Sequence, residues 1–396
     1  MKVARALRAA SASLKQVRVP AEHMRGGTSK GVFFHRHDLP VDAAKWDQLM
    51  LRVMGSPDPY EKQIDGMGGA TSSTSKVVVL NKSSREGCHV DYLFGALAIS
   101  ESLLDWSGNC GNLSAAVGPY AIRHGWVPEA PSDGVATVVI WQVNTEKKII
   151  AKVPMKNGTV QELGDFEVDG VTFPAAEVQL EFLDPGNVGA MFPTGHVCDD
   201  LTIPGVGCIK TTLIDAGNPT ILVDAKVLGL HGAELQPDVN TNKPILDLCE
   251  TVRSHAAVTM GLAKTPEEAS TLRQHTPKLA FAGPAVTYTA SSGKTVEASS
   301  IDVCARILSM GKLHHAMTGT GAVALAAAAA VPGTVMSDFL PGPRRSFVFG
   351  HPSGSLRVGA EAVHSDAGWE VASVAMSRTA RRLMEGWVLV PEDLLG

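Results

Sequence analysis

Short runs of apolar residues, separated by polar turns rich in glycine, make up most of this 396-residue chain. Residues 17–21 alternate between apolar and polar side chains and residues 77–80 are apolar throughout, and both patterns are typical of β-strands. Residues 43–54 have the spacing of an amphipathic helix that Asp42 would cap. The pattern therefore predicts a protein with many strands and few helices.

Two stretches differ from this pattern, because each runs from a tight polar turn into a helix without a polar side. The first turn is Gly108-Asn109-Cys110-Gly111-Asn112, and the second is Thr318-Gly319-Thr320-Gly321. The apolar run after the second turn, residues 322–331, is only ten residues long. It is too short to span a bilayer and predicts a nearly fully buried core helix.

The separation of the two turns along the chain indicates two similar half-domains, each of which directs one helix N-terminus into a shared cleft. The free N–H groups and the dipole of a helix N-terminus favour negative charge. Two opposed N-termini would therefore bind a ligand that carries several carboxylates.

Cys110 lies at or just before the N-terminus of the first apolar helix. A thiol at such a position ionises more readily and is more reactive. A single cysteine in a glycine-rich turn is otherwise more often a small buried residue. The presence of the second turn favours the functional interpretation.

Lys76 stands where a polar loop, residues 65–75, enters the apolar strand 77–80. This position would partly desolvate its ammonium group, and desolvation favours the neutral amine that can accept a proton. The alternative is a lysine that extends its amine to solvent. The residues alone leave these two interpretations nearly even.

Composition and charge exclude several classes of protein. A net charge of −5 and a pI near 6.2 give no electrostatic signature for nucleic-acid binding. The six cysteines have no zinc-type spacing, and we predict no metal site; His35 and His37 are interpreted as surface residues. Because the chain also lacks a glycine motif for a nucleotide, we expect no cofactor.

Three long motifs resemble the PrpF family, the 2-methylaconitate isomerases, whose fold is similar to that of diaminopimelate epimerase. They are Met-Arg-Gly-Gly-Thr-Ser-Lys-Gly from Met24, Asp-Gly-Met-Gly-Gly-Ala-Thr-Ser-Ser-Thr-Ser-Lys from Asp65, and Trp-Ser-Gly-Asn-Cys-Gly-Asn from Trp106. The resemblance implies an α+β fold of two pseudo-symmetric lobes, each a curved, mostly antiparallel sheet around a central helix, with the active site in the cleft between them. We expect an N-terminal tail (1–16), a first lobe (17–185 plus 375–396) and a second lobe (186–374).

The resemblance also assigns roles within the site. It places the catalytic lysine of the family on Lys76 and implies an acid/base pair with Cys110. Where the epimerases carry a second catalytic cysteine, this chain has Thr318, so a symmetric two-thiol racemase is not expected. The expected substrate-binding residues are Arg25, Ser29, Asn109, Gly111, Asn112, Ser309, Thr318, Gly319 and Thr320. His314 and His315 are interpreted as packing or capping residues, and Asn218 is similar to a ligand-loop residue of the epimerases.

The expected activity is a cofactor-independent cis–trans isomerisation of 2-methylaconitate in propionate degradation by the methylcitrate cycle. A tautomerase of 4-oxalomesaconate and a non-catalytic organic-acid-binding protein remain as alternatives. We expect a small tricarboxylate as the binding partner, with neither nucleic acid nor membrane; the sequence leaves a homo-oligomer open. A cytoplasmic location is expected, although the basic residues at 2–18 resemble a mitochondrial transit peptide.

Overall fold

The computed structural model of the chain describes residues 15–186, 190–342, 345–366 and 368–395. Residues 1–14, which form most of the expected N-terminal tail, lie outside the described residues. Within these ranges no helix is both long enough and apolar enough to cross a membrane.

The strands fall into two sets that share the last strand. The first set is β1 (Gln16–Gly26), β2 (Ser29–His35), β3 (Lys76–Lys82), β4 (Val90–Leu97), β5 (Leu104–Asp105), β6 (Gly134–Gln142), β7 (Lys147–Lys156), β8 (Thr159–Val160) and β9 (Glu177–Leu183). The second set is β10 (Asp199–Ile203), β11 (Gly207–Ala216), β12 (Asn218–Asp224), β13 (Lys278–Pro284), β14 (Tyr288–Thr289), β15 (Thr295–Val296), β16 (Val303–Ser309), β17 (Lys312–Leu313), β18 (Ser346–His351) and β19 (Gly354–Ser365), and the shared strand is β20 (Gly368–Pro391).

The helices are fewer and mostly short. They are α1 (Trp46–Met54), α2 (Gly111–Arg123), α3 (Gln236–Asn240), α4 (Lys243–Thr259), α5 (Pro266–Leu272) and α6 (Gly319–Ala330).

The first lobe is a ring of strands around α2. Its order is β1–β2–β3–β4–β6–β7–β9, and β20 completes the ring by pairing with both β9 and β1. The pairs β2–β3 and β4–β6 are parallel and the others are antiparallel. Eleven residues of α2 are buried, among them Pro119, through which the helix continues to Arg123.

The second lobe repeats this order. The sequence β11–β12–β13–β16–β18–β19–β20 has parallel pairs at β12–β13 and β16–β18, at the same places as in the first lobe. In each lobe the central helix follows a short two-residue strand, β5 before α2 and β17 before α6. The chain thus builds the same unit twice, as the pseudo-symmetric fold requires.

Helix α6 is the apolar centre of the second lobe. All of its residues, 319–330, are buried, which confirms the predicted core helix. Alanine, valine and leucine leave no polar face that could meet water, so the sheet must surround the helix. Its side chains belong to the same buried cluster as those of α2, and this cluster joins the two lobes.

Strand β20 connects the lobes directly. Its residues up to Met376 pair with β19, and its residues from Ala380 onward pair with β1. The expected lobe boundaries, 17–185 plus 375–396 and 186–374, remain a prediction.

Candidate active site

The N-termini of α2 and α6 meet at the centre of the molecule. A Cβ atom added to Gly319 would lie 2.5 Å from the backbone nitrogen of Asn112, and one added to Gly111 would lie 2.7 Å from the carbonyl carbon of Gly319. Only glycine permits backbones to approach this closely. The expected arrangement of two helix N-termini at one site is therefore present.

Cys110 and Lys76 lie together at this point. Cys110 is the N-cap residue of α2, and Lys76 is the first residue of β3. The Lys76 Nζ atom lies 3.6 Å from the Cys110 Sγ atom, and the two residues are 3% and 5% exposed. The ammonium also lies 5.5 Å from the ring centroid of Phe94. The amine is thus buried against a thiol and an aromatic ring rather than extended to solvent.

Helix α2 has no side-chain cap, since Cys110 makes no capping hydrogen bond. The N–H groups of its first turn have no intrahelical acceptor and are available to an anion. The Cys110 thiol instead contacts Lys76 and lies 4.0 Å from the hydroxyl oxygen of Ser29. Ser29 is buried, and its role in substrate binding remains a prediction.

Helix α6 begins differently, because Thr318 caps it. The Thr318 hydroxyl accepts a hydrogen bond from the Gly321 N–H at 3.1 Å. This bond satisfies one of the N–H groups that would otherwise be free at the helix end. Thr318 is buried at the same junction as Cys110, but one lone pair of its oxygen is already in use.

Asn218 connects the two turns. Its Oδ1 atom accepts from the Asn109 N–H at 2.8 Å, and its Nδ2 atom donates to the Asn109 carbonyl at 2.9 Å and to the Thr320 hydroxyl at 3.0 Å. Asn218 begins β12, so the second lobe holds the backbone of the first-lobe turn that carries Cys110. The Asn109 and Thr320 side chains lie at the junction, and the Asn109 Oδ1 atom is buried with no hydrogen-bond partner in the described part of the chain.

Asn112 joins the junction to a buried arginine. Its Nδ2 atom donates to the Thr28 hydroxyl at 3.0 Å and to the Met317 carbonyl at 3.2 Å, and its Oδ1 atom accepts from the Arg378 Nε at 2.8 Å. Burial lowers the pKa of Arg378 to about 10, while Cys110 is the neighbouring group that raises it. Arg378 thus adds a positive charge near the thiol that the sequence analysis did not anticipate.

Arg25 is placed differently from Ser29. Its NH1 atom donates to the carbonyl of Gly27 at 3.0 Å and to the carbonyl and hydroxyl of Thr379, each at 2.9 Å. Arg381 and Glu162 are the charged groups that act on it, rather than Cys110 or Lys76. The role of Arg25 as a carboxylate clamp remains a prediction.

A second buried lysine, Lys278, was also missed. Its Nζ atom donates to the Ser309 hydroxyl at 3.3 Å, to the His275 carbonyl at 3.3 Å and to the His275 Nδ1 atom at 3.5 Å. Burial and the charge of Lys76 lower the pKa of Lys278 to about 7. Ser309, an expected substrate-binding residue, therefore contacts this lysine.

His314 is buried and the adjacent His315 is half-buried. Burial lowers the pKa of both, and the charge of Lys76 adds to this effect. The Nδ1 atom of His314 accepts from the Ala316 N–H at 3.1 Å, in agreement with the expected packing or capping role. Its Nε2 atom is buried and has no hydrogen-bond partner among the described residues.

One group of possible metal ligands lies elsewhere in the chain. His35, His37 and Asp38 place three potential ligand atoms within 4.8 Å of one another. The His37 Nε2 atom lies 3.1 Å from the Asp38 Oδ1 atom, and the His37 side chain is 69% exposed. The group is not among the residues that surround Cys110.

The architecture described above is that of the epimerase-like isomerases. A crystal structure of a hydroxyproline epimerase from Agrobacterium vitis aligns with a TM-score of 0.55 and 12% identity, over 96% of this chain and 94% of that one. At this identity the similarity concerns the fold alone, and it confirms the expected two-lobed fold.

The family is more specific. The profile described as "PrpF protein" matches residues 16–391, and the chain belongs to this family. A 2-methyl-aconitate isomerase of Cupriavidus necator is 57% identical, with 96% of this chain and 98% of that protein covered. One from Shewanella oneidensis is 56% identical, with 95% and 98% covered. A crystal structure of a methylitaconate-delta-isomerase aligns with a TM-score of 0.74 and 36% identity, over 96% of this chain and 98% of that one. The resemblance expected from the three motifs is thereby confirmed.

Proposed function

We propose that this protein is a cofactor-independent isomerase that interconverts the cis and trans forms of 2-methylaconitate. The single observation that carries the proposal is the buried contact between Lys76 Nζ and Cys110 Sγ, 3.6 Å apart, at the uncapped N-terminus of α2. The choice of substrate rests on the family and on two relatives that are named 2-methyl-aconitate isomerase.

The reaction begins when the Lys76 amine removes an allylic proton from the substrate. The electrons of the broken C–H bond delocalise through the double bond into a carboxylate and give an extended dienolate. The former double bond then has single-bond character and rotates, and return of the proton at the same carbon restores the double bond in the other geometry. No atom is gained or lost.

The residues around the thiol suit this intermediate. The free N–H groups of the first turn of α2 stabilise the negative charge of the dienolate as it develops. Cys110 polarises the substrate or donates the returning proton. Lys76 and Arg378 add positive charge in a buried region, where charge interactions are stronger than in water.

Asn109, Asn112, Ser29, Ser309 and Thr320 are proposed to orient the substrate. All five are buried and belong to the hydrogen-bond network at the junction or lie beside the thiol. Gly111 and Gly319 contribute through their backbones, because a side chain there would occupy the space between the helices.

Proton NMR of the purified protein with 2-methylaconitate in deuterium oxide tests the function. The expected result is interconversion of the two isomers together with deuterium at the allylic position of recovered substrate. Conversion without exchange is compatible only with internal return of the same proton. Binding without conversion or exchange would identify the protein as a silent organic-acid binder and overturn the proposal.

A comparison of rates identifies the physiological substrate. If 2-methylaconitate is the substrate, its kcat/KM exceeds that for 4-oxalomesaconate. The opposite order would favour the tautomerase of aromatic breakdown. A higher kcat/KM for 2-methylaconitate would favour a role in propionate degradation by the methylcitrate cycle.

We also propose a cytoplasmic location. It is supported by the six cysteines, all of which are free thiols, as is common in a reducing compartment.

A further inference from the structure

We propose that Lys278 and His314 form a second carboxylate-binding subsite, supplied by the second lobe, which holds one carboxylate of the substrate while Lys76 and Cys110 carry out the proton transfer. That this carboxylate belongs to an unsaturated tricarboxylate rests on the function proposed above. The existence of an anion subsite rests on the geometry of the second lobe alone.

Lys278 is a buried lysine whose hydrogen-bond partners are all neutral. It is 3% exposed, and no carboxylate in the described part of the chain forms an ion pair with it. Its three hydrogen-bond acceptors, all on Ser309 and His275, are neutral and lie at 3.3–3.5 Å. A lysine paired with a carboxylate makes bonds of about 2.7–2.9 Å. An ammonium held by three long bonds to neutral atoms leaves room for a stronger acceptor.

His314 supplies a second unsatisfied donor. Because its Nδ1 atom accepts the N–H of Ala316, the proton of the neutral ring is on Nε2. This N–H group is buried and has no partner among the described residues. The backbone N–H of His314 donates to the Ile307 carbonyl on β16, the strand that also carries Ser309, to which Lys278 donates. A buried donor without an acceptor is destabilising, and a carboxylate would satisfy it.

The internal symmetry of the fold gives Lys278 the same place as Lys76. Lys76 is the first residue of β3, and Lys278 is the first residue of β13. Both strands pair in parallel with the second strand of a hairpin and antiparallel with the strand that leads towards the central helix. Each lobe therefore directs one buried lysine to the junction, but only the first lobe places a thiol beside it.

The protonation of Lys278 depends on all the groups around it. Burial and the positive charges of Lys76 and Arg253 lower its pKa, whereas Cys110 and Asp105 raise it. His275 and His314 face it as neutral rings, since burial lowers the pKa of each well below the ordinary value. A bound carboxylate would favour the ammonium form and draw a proton from solvent at pH 8.

Calorimetric titration of three forms of the full chain tests the subsite, with trans-aconitate as the tricarboxylate probe and mesaconate as the dicarboxylate probe. Lys278→Met should weaken trans-aconitate binding by about tenfold or more, the usual consequence of losing one charge-assisted hydrogen bond. Mesaconate binding should weaken much less, because a dicarboxylate can leave this subsite empty. Lys312→Met removes an exposed lysine from the neighbouring β17 and should behave as the wild type.

Two further variants separate the donor from the packing of the ring. His314→Phe should weaken trans-aconitate binding, whereas His314→Gln, which keeps an N–H group, should restore part of it. Repeating the titrations at pH 8 in buffers of different ionisation enthalpy should give proton uptake for the wild type and less for Lys278→Met. A thermal melt establishes that each variant is folded.

The outcomes distinguish this subsite from the proposed function. If the wild type isomerises 2-methylaconitate and Lys278→Met binds both probes as the wild type does, the subsite is wrong and the function stands. If no isomerisation occurs but Lys278→Met loses the preference for trans-aconitate, the subsite stands and the function is wrong. If Lys278→Met loses the same fraction of affinity for both probes, the subsite is also wrong, because equal losses indicate general damage to the cleft.

Discussion

The turn at Cys110 and the turn at Thr318 occupy equivalent places in the two lobes and use their side chains in different ways. Thr318 directs its oxygen along its own helix and accepts the Gly321 N–H. Cys110 makes no such bond, and its sulfur faces Lys76 instead. A hydroxyl does not ionise near neutral pH, so capping is a use that suits it, whereas a thiol beside an amine can exchange a proton.

The difference indicates a division of labour between two copies of one unit. The first lobe carries the proposed acid/base pair, and the second lobe holds the first-lobe turn through Asn218 and offers Lys278 without a thiol. A racemase needs equivalent groups on both sides of a carbon atom. An isomerase that returns the proton to the same side needs acid/base groups on that side only. In this chain the proposed pair, Lys76 and Cys110, comes from the first lobe alone.

Lys76→Ala should have the largest effect on the difference between the two turns, because it removes the proposed base. Turnover of 2-methylaconitate should fall by about 10⁴-fold, the upper end of the range for a positioned acid or base. Deuterium exchange into recovered substrate should disappear, while trans-aconitate should still bind in a titration. Near-wild-type turnover in this variant would show that the thiol, rather than the amine, is the base.

Cys110→Ser makes the first turn resemble the second by replacing the thiol with a hydroxyl. We expect a loss of about 10³-fold in kcat, with weak residual activity, since Lys76 remains. Steady-state kinetics at saturating substrate measure the effect. A complete loss here, together with an active Lys76→Ala protein, would reverse the roles of the two residues.

Gly319→Ala should push the two turns apart and so test whether the reaction needs them in contact. The added Cβ would lie 2.5 Å from backbone atoms of Gly111 and Asn112, which cannot move aside independently of α2. A displacement of about 1 Å at the reacting groups costs about 10²-fold in rate. Gly359→Ala is the matched control, because its Cβ would meet nothing closer than 3.6 Å and its kcat/KM should not change.

Thr318→Val should have the smallest effect, and chiefly on stability. Loss of the cap on Gly321 should lower the free energy of unfolding by about 0.5–2 kcal/mol in a urea titration, whereas Thr318→Ser keeps the oxygen and should cost less. A Thr318→Val protein as inactive as Lys76→Ala would mean that the two turns share the chemistry after all.

Local patterns were sufficient for the parts of the site that lie within single segments. The glycine-spaced turns at Cys110 and Thr318 and the apolar run after each predicted α2, α6 and their N-termini. The change from polar loop to apolar strand at Lys76 left a buried and a solvent-exposed amine nearly even, and the resemblance to the PrpF family favoured the buried one. Each of these features depends on neighbours within about ten residues of sequence, as helix caps and strand starts generally do.

The missed residues depend on pairing between distant segments. Lys278 also follows a polar loop, Gln274-His275-Thr276-Pro277, and begins an apolar strand, so the signal used for Lys76 was present. Nothing local indicates that β13 starts at the junction of the lobes; that follows from its pairing with β12 and β16. Arg378 lies three residues before two further arginines and has the pattern of an exposed strand. It is buried because both lobes pack against β20.

The position of β20 has a consequence for how the chain is made. Because residues 380–391 supply the partner of β1, the first lobe cannot complete its ring until these residues have left the ribosome. Contacts between segments this far apart in sequence carry a large loop-closure cost and form slowly. While the second lobe is still being synthesised, the backbone groups along one edge of β1 and of β9 in the nascent first lobe therefore have no partner strand. Truncation from the C-terminus would expose those same two strand edges on the lobe that holds Lys76 and Cys110, where they could pair with other chains.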